Sequence, residues 1–254
     1  MILIRNLKIF HVTVFLMGIS LFSLTGCSVM QTLIDGSRHE ELNDPGIALT
    51  DEQIEKYLID IRPHKDPGPH FRMGCYFQQR NKHTLAVQEF NKAIKLDPGH
   101  VEAYNAIGIS YDALGNYVKA INSYKTALRL NAKLDYVLNN IGYSYLIQGD
   151  PEAAVDFLKK AVELNPNIKR YHNNLGLAYA KLRQYDQAFV EFRHTGDEAS
   201  AHTMIGKLLF DKGSYDRARQ HFALALASNS SSDETKNRLK AADTLSQITR
   251  QHKN

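Results

Sequence analysis

Only two of the 254 residues are cysteine, Cys27 and Cys75. That excludes a small fold stapled by disulfides. A surplus of one charge sign is also missing. Residues 1–26 hold Arg5 and Lys8 and no acid, so the remaining residues carry 29 basic against 27 acidic side chains. A nucleic-acid binder normally shows a clear basic excess, so that class is set aside. The chain lacks a hydrophobic run long enough to span a bilayer comfortably, which takes about 20 residues. It has no GxGxxG, no GxxxxGK[ST], no GxSxG and no HExxH, and its Asp and Glu residues are scattered. The sequence therefore reads as a non-enzyme with no cofactor, no metal site and no catalytic residues.

What is present begins at the N-terminus. Arg5 and Lys8 form a short basic region, and Val12–Leu24 is apolar over 13 residues. Leu24-Thr25-Gly26-Cys27 follows directly. This order resembles a bacterial lipoprotein signal, and residues 1–26 read as a signal peptide. The resemblance implies cleavage before Cys27 and lipidation there, with palmitate among the acyl chains. At about 0.8 kcal/mol per buried methylene, such an anchor is effectively permanent. Ser28, rather than Asp, after the cysteine implies sorting to the outer membrane, on its periplasmic face. With Cys27 consumed by lipid, no internal disulfide would form.

Residues 27–66 read as a lipidated tether, punctuated by Gly36, Pro45, Gly46 and Pro63. Inside it, Thr50-Asp51-Glu52-Gln53 has the pattern of a capping box. Ile54, Tyr57, Leu58 and Ile61 then share one helical face, which predicts a short amphipathic helix.

From residue 67 the sequence repeats. Gly74, Gly108, Gly142, Gly176 and Gly206 align, and the same chemistry returns around each. Before the glycine stands Met73, Ile107, Ile141, Leu175 or Ile205. Behind it come, in turn, Phe77, Tyr111, Tyr145, Tyr179 or Leu209; then Ala86, Ala120, Ala154, Ala188 or Ala218; then Phe90, Tyr124, Leu158, Phe192 or Phe222. Apolar residues at helical spacing flank a polar break in each unit, so each unit predicts two antiparallel helices. The glycine is expected to let the second helix approach closely at its alanine. One such pair cannot bury its own face, so neighbours must stack.

This skeleton resembles the tetratricopeptide repeat. The resemblance implies an all-α, right-handed solenoid of five repeats: 67–100, 101–134, 135–168, 169–198 and 199–232. The fourth is short, the deficit falling near Phe192–Asp197, where Gly196 reads as a left-handed helix terminator. Residues 233–254 predict a capping helix and tail, with Leu239, Ala242, Leu245 and Ile248 facing inward.

Carried over from the family, the concave face receives the second, fifth, ninth and twelfth or thirteenth places of each first helix. The fifth place holds Phe71, Asn105, Asn139, Asn173 and Thr203. The three asparagines suggest an amide ladder, since an amide both donates to and accepts from an extended peptide. Around it stand Glu102, Tyr136, Tyr143, Arg170 and Lys181. A plainer reading is open, because Asn140 and Asn174 beside the ladder belong to the ordinary repeat pattern. His70, His172 and His202 fall at the fourth place, a packing position between helices rather than a metal site.

The implied function is recruitment. Lipoproteins of this layout resemble the TadD-like assembly proteins of tight-adherence (Flp) pili and the PilF/PilW type that brings secretin subunits to the outer membrane. The runs Leu138–Gly142 and Arg170–Leu177 carry that likeness. The expected partners are envelope proteins such as secretin or pilus components. The alternative is an adaptor that recruits or regulates peptidoglycan hydrolases or proteases.

Overall fold

The computed structural model describes residues 65–228 and 232–251. The signal peptide, Cys27, the tether and its expected helix lie outside the described residues. Among the described residues every regular element is a helix. They fall into two compact units that meet in sequence at Asn131 and Ala132.

The first unit contains α1 (Gly68–Gln79), α2 (His83–Leu96), α3 (Val101–Ala113) and α4 (Tyr117–Leu130). The second contains α5 (Asp135–Gln148), α6 (Pro151–Leu164), α7 (Lys169–Lys181), α8 (Tyr185–Arg193), α9 (Glu198–Asp211), α10 (Tyr215–Ala227) and α11 (Asp233–Gln251). Within each unit, successive helices pack on one another.

The two helices of a pair are buried differently, and the sequence shows why. A second helix buries one narrow stripe at helical spacing. In α6 that stripe is Ala154, Leu158 and Ala161; in α10 it is Ala218, Phe222 and Ala225. A first helix has neighbours on more than one side. Helix α5 accordingly buries Val137, Leu138, Asn139, Ile141, Gly142, Ser144 and Leu146.

The repeated glycine is required by a close approach, though not chiefly at the alanine. A Cβ on Gly176 or Gly206 would lie 2.6 Å from the ring of Phe192 or Phe222. One on Gly142 would lie 2.5 Å from Cγ of Leu158, with the Ala154 carbonyl 3.1 Å away. The large residue of the second helix thus lies flat on the glycine. The alanine is wholly buried alongside.

Each pair turns in the same way. Asn81, Gly115, Gly149, Arg183 and Gly213 have φ of 58°, 72°, 91°, 62° and 73°. The next N–H then donates back across the helix end. The bonds run from Lys82 to Phe77, Asn116 to Tyr111, Asp150 to Tyr145, Gln184 to Tyr179 and Ser214 to Leu209, at 2.8–2.9 Å. This arrangement satisfies carbonyls that the helix end would leave open.

The fourth pair departs from the others as its spacing requires. Helix α8 has 9 residues where α6 has 14. Gly196 is not in the left-handed region, a correction to the sequence expectation. The left-handed residues of the described chain are those five in the turns within helix pairs. Helix α8 instead ends through bonds from His194 to Glu191 and from Thr195 to Phe192, and Asp197 caps α9 through Ser200 N–H at 2.8 Å.

Helix α11 lies on α10. It buries Thr235, Ala242 and Ser246, while Ile248 is 43% exposed, so that residue does not face inward as expected. The Ser246 hydroxyl donates to Asp216 at 2.6 Å, and Arg250 pairs with the same carboxylate. These bonds hold the Asp216 carboxyl below its usual range, with Ser246 the larger influence and Arg250 the next.

Candidate functional site

The candidate groove residues sit on first helices of both units. Glu102 and Asn105 are on α3 of the first unit; Tyr136, Asn139 and Tyr143 are on α5, and Arg170, Asn173 and Lys181 on α7, of the second. Each unit is taken by itself.

In the first unit Glu102 is exposed and pairs with Nδ1 of His100 at 3.2 Å. Asn105 is 4% exposed. The same helices hold a buried polar contact that periodicity alone does not flag. The Gln78 amide donates to the Ala106 carbonyl at 2.9 Å and the Ser110 hydroxyl at 2.8 Å. Nearby, the buried Tyr124 hydroxyl donates to Asp112 at 2.8 Å. Burial, then the adjacent carboxylate, raises the Tyr124 phenol far above its ordinary range.

In the second unit the asparagines divide their work. Asn139 is 2% exposed and Asn174 is 1% exposed. The Asn174 side chain donates to Oδ1 of Asn139 at 2.8 Å, and Asn139 donates to Asn140 at 3.4 Å. The amide of Asn139, expected to face a peptide, is instead spent joining α7 to α5. Position five on α5 is tightly enclosed, and a buried amide takes the nearest partner. Asn173, one residue along, is only partly buried. A second bond joins the same helices, from the Tyr171 hydroxyl to Asp135 at 3.1 Å. Burial and the Asp135 charge push the Tyr171 phenol well above its usual value.

The remaining groove residues keep more surface. Tyr136, Tyr143 and Arg170 are partly buried and Lys181 is exposed. Arg170 lies 5.7 Å from the Tyr171 ring centroid. Its Nε is buried and has no hydrogen-bond partner among the described residues. A buried N–H without an acceptor costs stability, so this donor is a local expense of packing Arg170 beside Tyr171.

The fourth-place histidines lie between helices and carry bonds as well as packing. His70 meets Glu89 at 2.8 Å, and His172 meets Glu191 at 2.7 Å and the Pro166 carbonyl at 2.8 Å. His202 and His221 place their Nδ1 atoms 3.2 Å apart. Burial above all, then His202 and Arg217, depress the His221 imidazole to about 4. The sequence held a signal for these pairs, because the partner recurs at one fixed distance along the chain. It requires reading two columns together. Among the described residues no group of three or more His, Cys, Asp or Glu side chains could hold a metal ion. No described helix is long and apolar enough to cross a membrane.

Comparisons with known proteins agree with this geometry. Tetratricopeptide repeat models match residues 69–100, 101–134, 136–168, 157–189 and 199–232. No curated protein matches the chain. Among solved structures, MamA is 26% identical with a TM-score of 0.51, over 61% of this chain and 94% of that one. The 41-end form of MamA from Desulfovibrio magneticus RS-1 is 19% identical with a TM-score of 0.55, over 66% and 97%. YrrB, described as a TPR protein with an unusual peptide-binding site, is 21% identical with a TM-score of 0.55, over 73% and 97%. The last two likenesses speak to the fold alone. With repeat models over most of the described residues and glycine-seated helix pairs throughout, the chain belongs to the tetratricopeptide repeat family, whose members are protein–protein interaction scaffolds.

Proposed function

We propose that this scaffold is non-catalytic, is held by lipid at Cys27 on the periplasmic face of the outer membrane, and recruits components of a pilus or secretion machine. The observation that carries the address is the order of basic region, apolar stretch and Leu24-Thr25-Gly26-Cys27 at the head of a repeat array. What supports a peptide-binding face on α5 and α7 is that Tyr136, Tyr143, Arg170 and Asn173 keep part of their surface and Lys181 is exposed on those first helices. With Asn139 committed to Asn174, the residues of that face are Tyr136, Tyr143, Arg170, Asn173 and Lys181.

The test is an in vivo crosslinking pull-down with three proteins: the intact chain, a Cys27→Ser variant, and a Tyr143→Ala/Arg170→Ala/Asn173→Ala variant. The intact chain is expected in the outer-membrane fraction with secretin or pilus subunits. Cys27→Ser is expected in the soluble periplasm, without palmitate labelling. The triple variant is expected to stay on the membrane and lose its partners. Unchanged membrane association of Cys27→Ser would overturn the anchor. Equal capture by the triple variant would overturn the face. Enrichment of peptidoglycan hydrolases or proteases instead would favour the adaptor alternative.

A further inference from the structure

Next to the turn between α7 and α8 lies a recess of about 290 Å³, lined by Arg183, Tyr185, Lys212, Ser214 and Arg217. Its shape is fixed from below. Tyr185 is 8% exposed, and the Arg217 guanidinium lies 4.6 Å from its ring centroid. The Lys212 ammonium donates to the Ala180 carbonyl at 3.3 Å. Arg183 supplies the left-handed residue of its turn at φ 62°, a place usually given to glycine.

Arg183, Lys212 and Arg217 form no ion pair with a carboxylate among the described residues. Other cations of the same unit do: Lys207 and Arg238 with Glu234, Arg219 with Asp243, Arg250 with Asp216. The lining of the recess, by contrast, contains no carboxylate. Partial burial, then the neighbouring charges of Lys181 and Arg183, lower the Lys212 amine, as expected where like charges gather unneutralised.

The repeat itself supplies a control. One repeat earlier, the places of Arg183, Tyr185, Lys212, Ser214 and Arg217 are taken by Gly149, Pro151, Leu182, Gln184 and Gln187. Those five places hold no ionisable side chain, although Asp150 and Arg183 lie in the same two turns, which have the same left-handed residue and back-bond. Packing of the fold does not require the cations.

We propose that this recess binds the carboxylates of an acidic segment of a protein partner. Two guanidinium forks match planar carboxylates, and the ammonium and the Ser214 hydroxyl add single donors. The recess is open and its cations are exposed, which suits side chains of a passing strand. The inference rests on the scaffold reading only in taking the occupant to be a protein.

The test is fluorescence anisotropy of fluorescein-labelled hexaglutamate with the whole chain at low ionic strength. Lys212→Gln/Arg217→Gln is expected to weaken binding at least tenfold. Lys119→Gln/Lys125→Gln on α4 removes equal charge and is expected to change it less than twofold. Far-UV circular dichroism checks that both variants fold. Absence of peptide binding, or equal loss in both variants, would overturn the proposal. So would displacement by inorganic phosphate at the same concentration as by unlabelled peptide, which marks a general oxyanion site. Tighter recess-dependent binding to phosphatidylglycerol vesicles than to peptide would overturn it in favour of a lipid headgroup. If hexaglutamate binds through the recess while the pull-down on α5 and α7 captures nothing, the partner-recruiting face fails and the recess stands.

Discussion

Two turns of the second unit make the sharpest contrast in the molecule. Between α5 and α6 the chain passes through Gly149, and Asp150 caps the next helix with a bond to Ala153 N–H at 3.0 Å. Between α7 and α8 the same turn is made by Arg183, and Gln184 makes no side-chain cap. The helices on either side seat themselves identically, Leu158 on Gly142 and Phe192 on Gly176. The interior of a repeat is therefore held to one solution, while the turn outside it is free to trade local stability for charge.

The contrast can be broken most severely from the interior. Phe192→Ala should cost about 4 kcal/mol, because a wholly buried ring is lost and the space under it cannot fully collapse. Gly176→Val attacks the same contact from the other side and should cost about 3 kcal/mol through overpacking. Urea unfolding checks both. A cost under 1 kcal/mol for either would mean the glycine–aromatic seat is not what joins the pair.

The polar link between α5 and α7 should rank next. Asn174→Ala removes the donor to Asn139 and leaves a buried amide oxygen short of a partner, at about 2 kcal/mol. The same measurement on Asn173→Ala, one residue away and partly exposed, should show less than about 0.5 kcal/mol. Equal effects would erase the distinction drawn between the two asparagines.

The turns themselves should respond with small changes of opposite sign. Gly149→Arg places a side chain in the left-handed region at a cost of about 1–2 kcal/mol. Arg183→Gly releases the same strain, offset by about 0.5–1 kcal/mol of added unfolded-state freedom, for a net gain below about 1 kcal/mol. Thermal melts of both variants would show whether the recess is maintained at the expense of stability.

Acidification gives a last, graded test. The folded His221 imidazole sits near 4, below its ordinary value of 6.5, with burial as the first cause. Between those values the unfolded chain binds more protons than the folded one. Its contribution is therefore present above pH 6.5 and is lost as pH falls from 6.5 towards 4. His202, also lowered by burial, acts in the same direction. The melting temperature should fall across that window, and His221→Gln should flatten the fall. An unchanged slope in the variant would place the acid sensitivity elsewhere.

Most of the fold was legible because a repeat states its pattern several times. The column Gly142, Ala154, Leu158 means little once; recurring as Gly176, Ala188, Phe192 and Gly206, Ala218, Phe222, it fixes helix pairing and stacking. The site was less legible. Position five was expected to face a peptide, yet Asn139 on α5 is enclosed and Asn173 on α7 is partly open. Sequence spacing gives a residue's angle on its helix, not what the neighbouring helix places over it. The cationic recess was missed for a related reason. Arg183, Lys212 and Arg217 come from two turns and a helix start, and only stacking of one pair on the next brings them to one place.

By itself the sequence determined the helical pairs, their order, the close seat at each glycine and the short fourth unit, because these follow from periodic hydrophobicity and residue size. Tertiary structure alone decided which polar groups are consumed inside and which are left over. Asn139 was satisfied by Asn174 and Gln78 by Ala106 and Ser110, whereas Arg170 Nε found no acceptor among the described residues. A hydrogen bond depends on distance and direction between helices far apart in sequence, and those are fixed only once the pairs have packed.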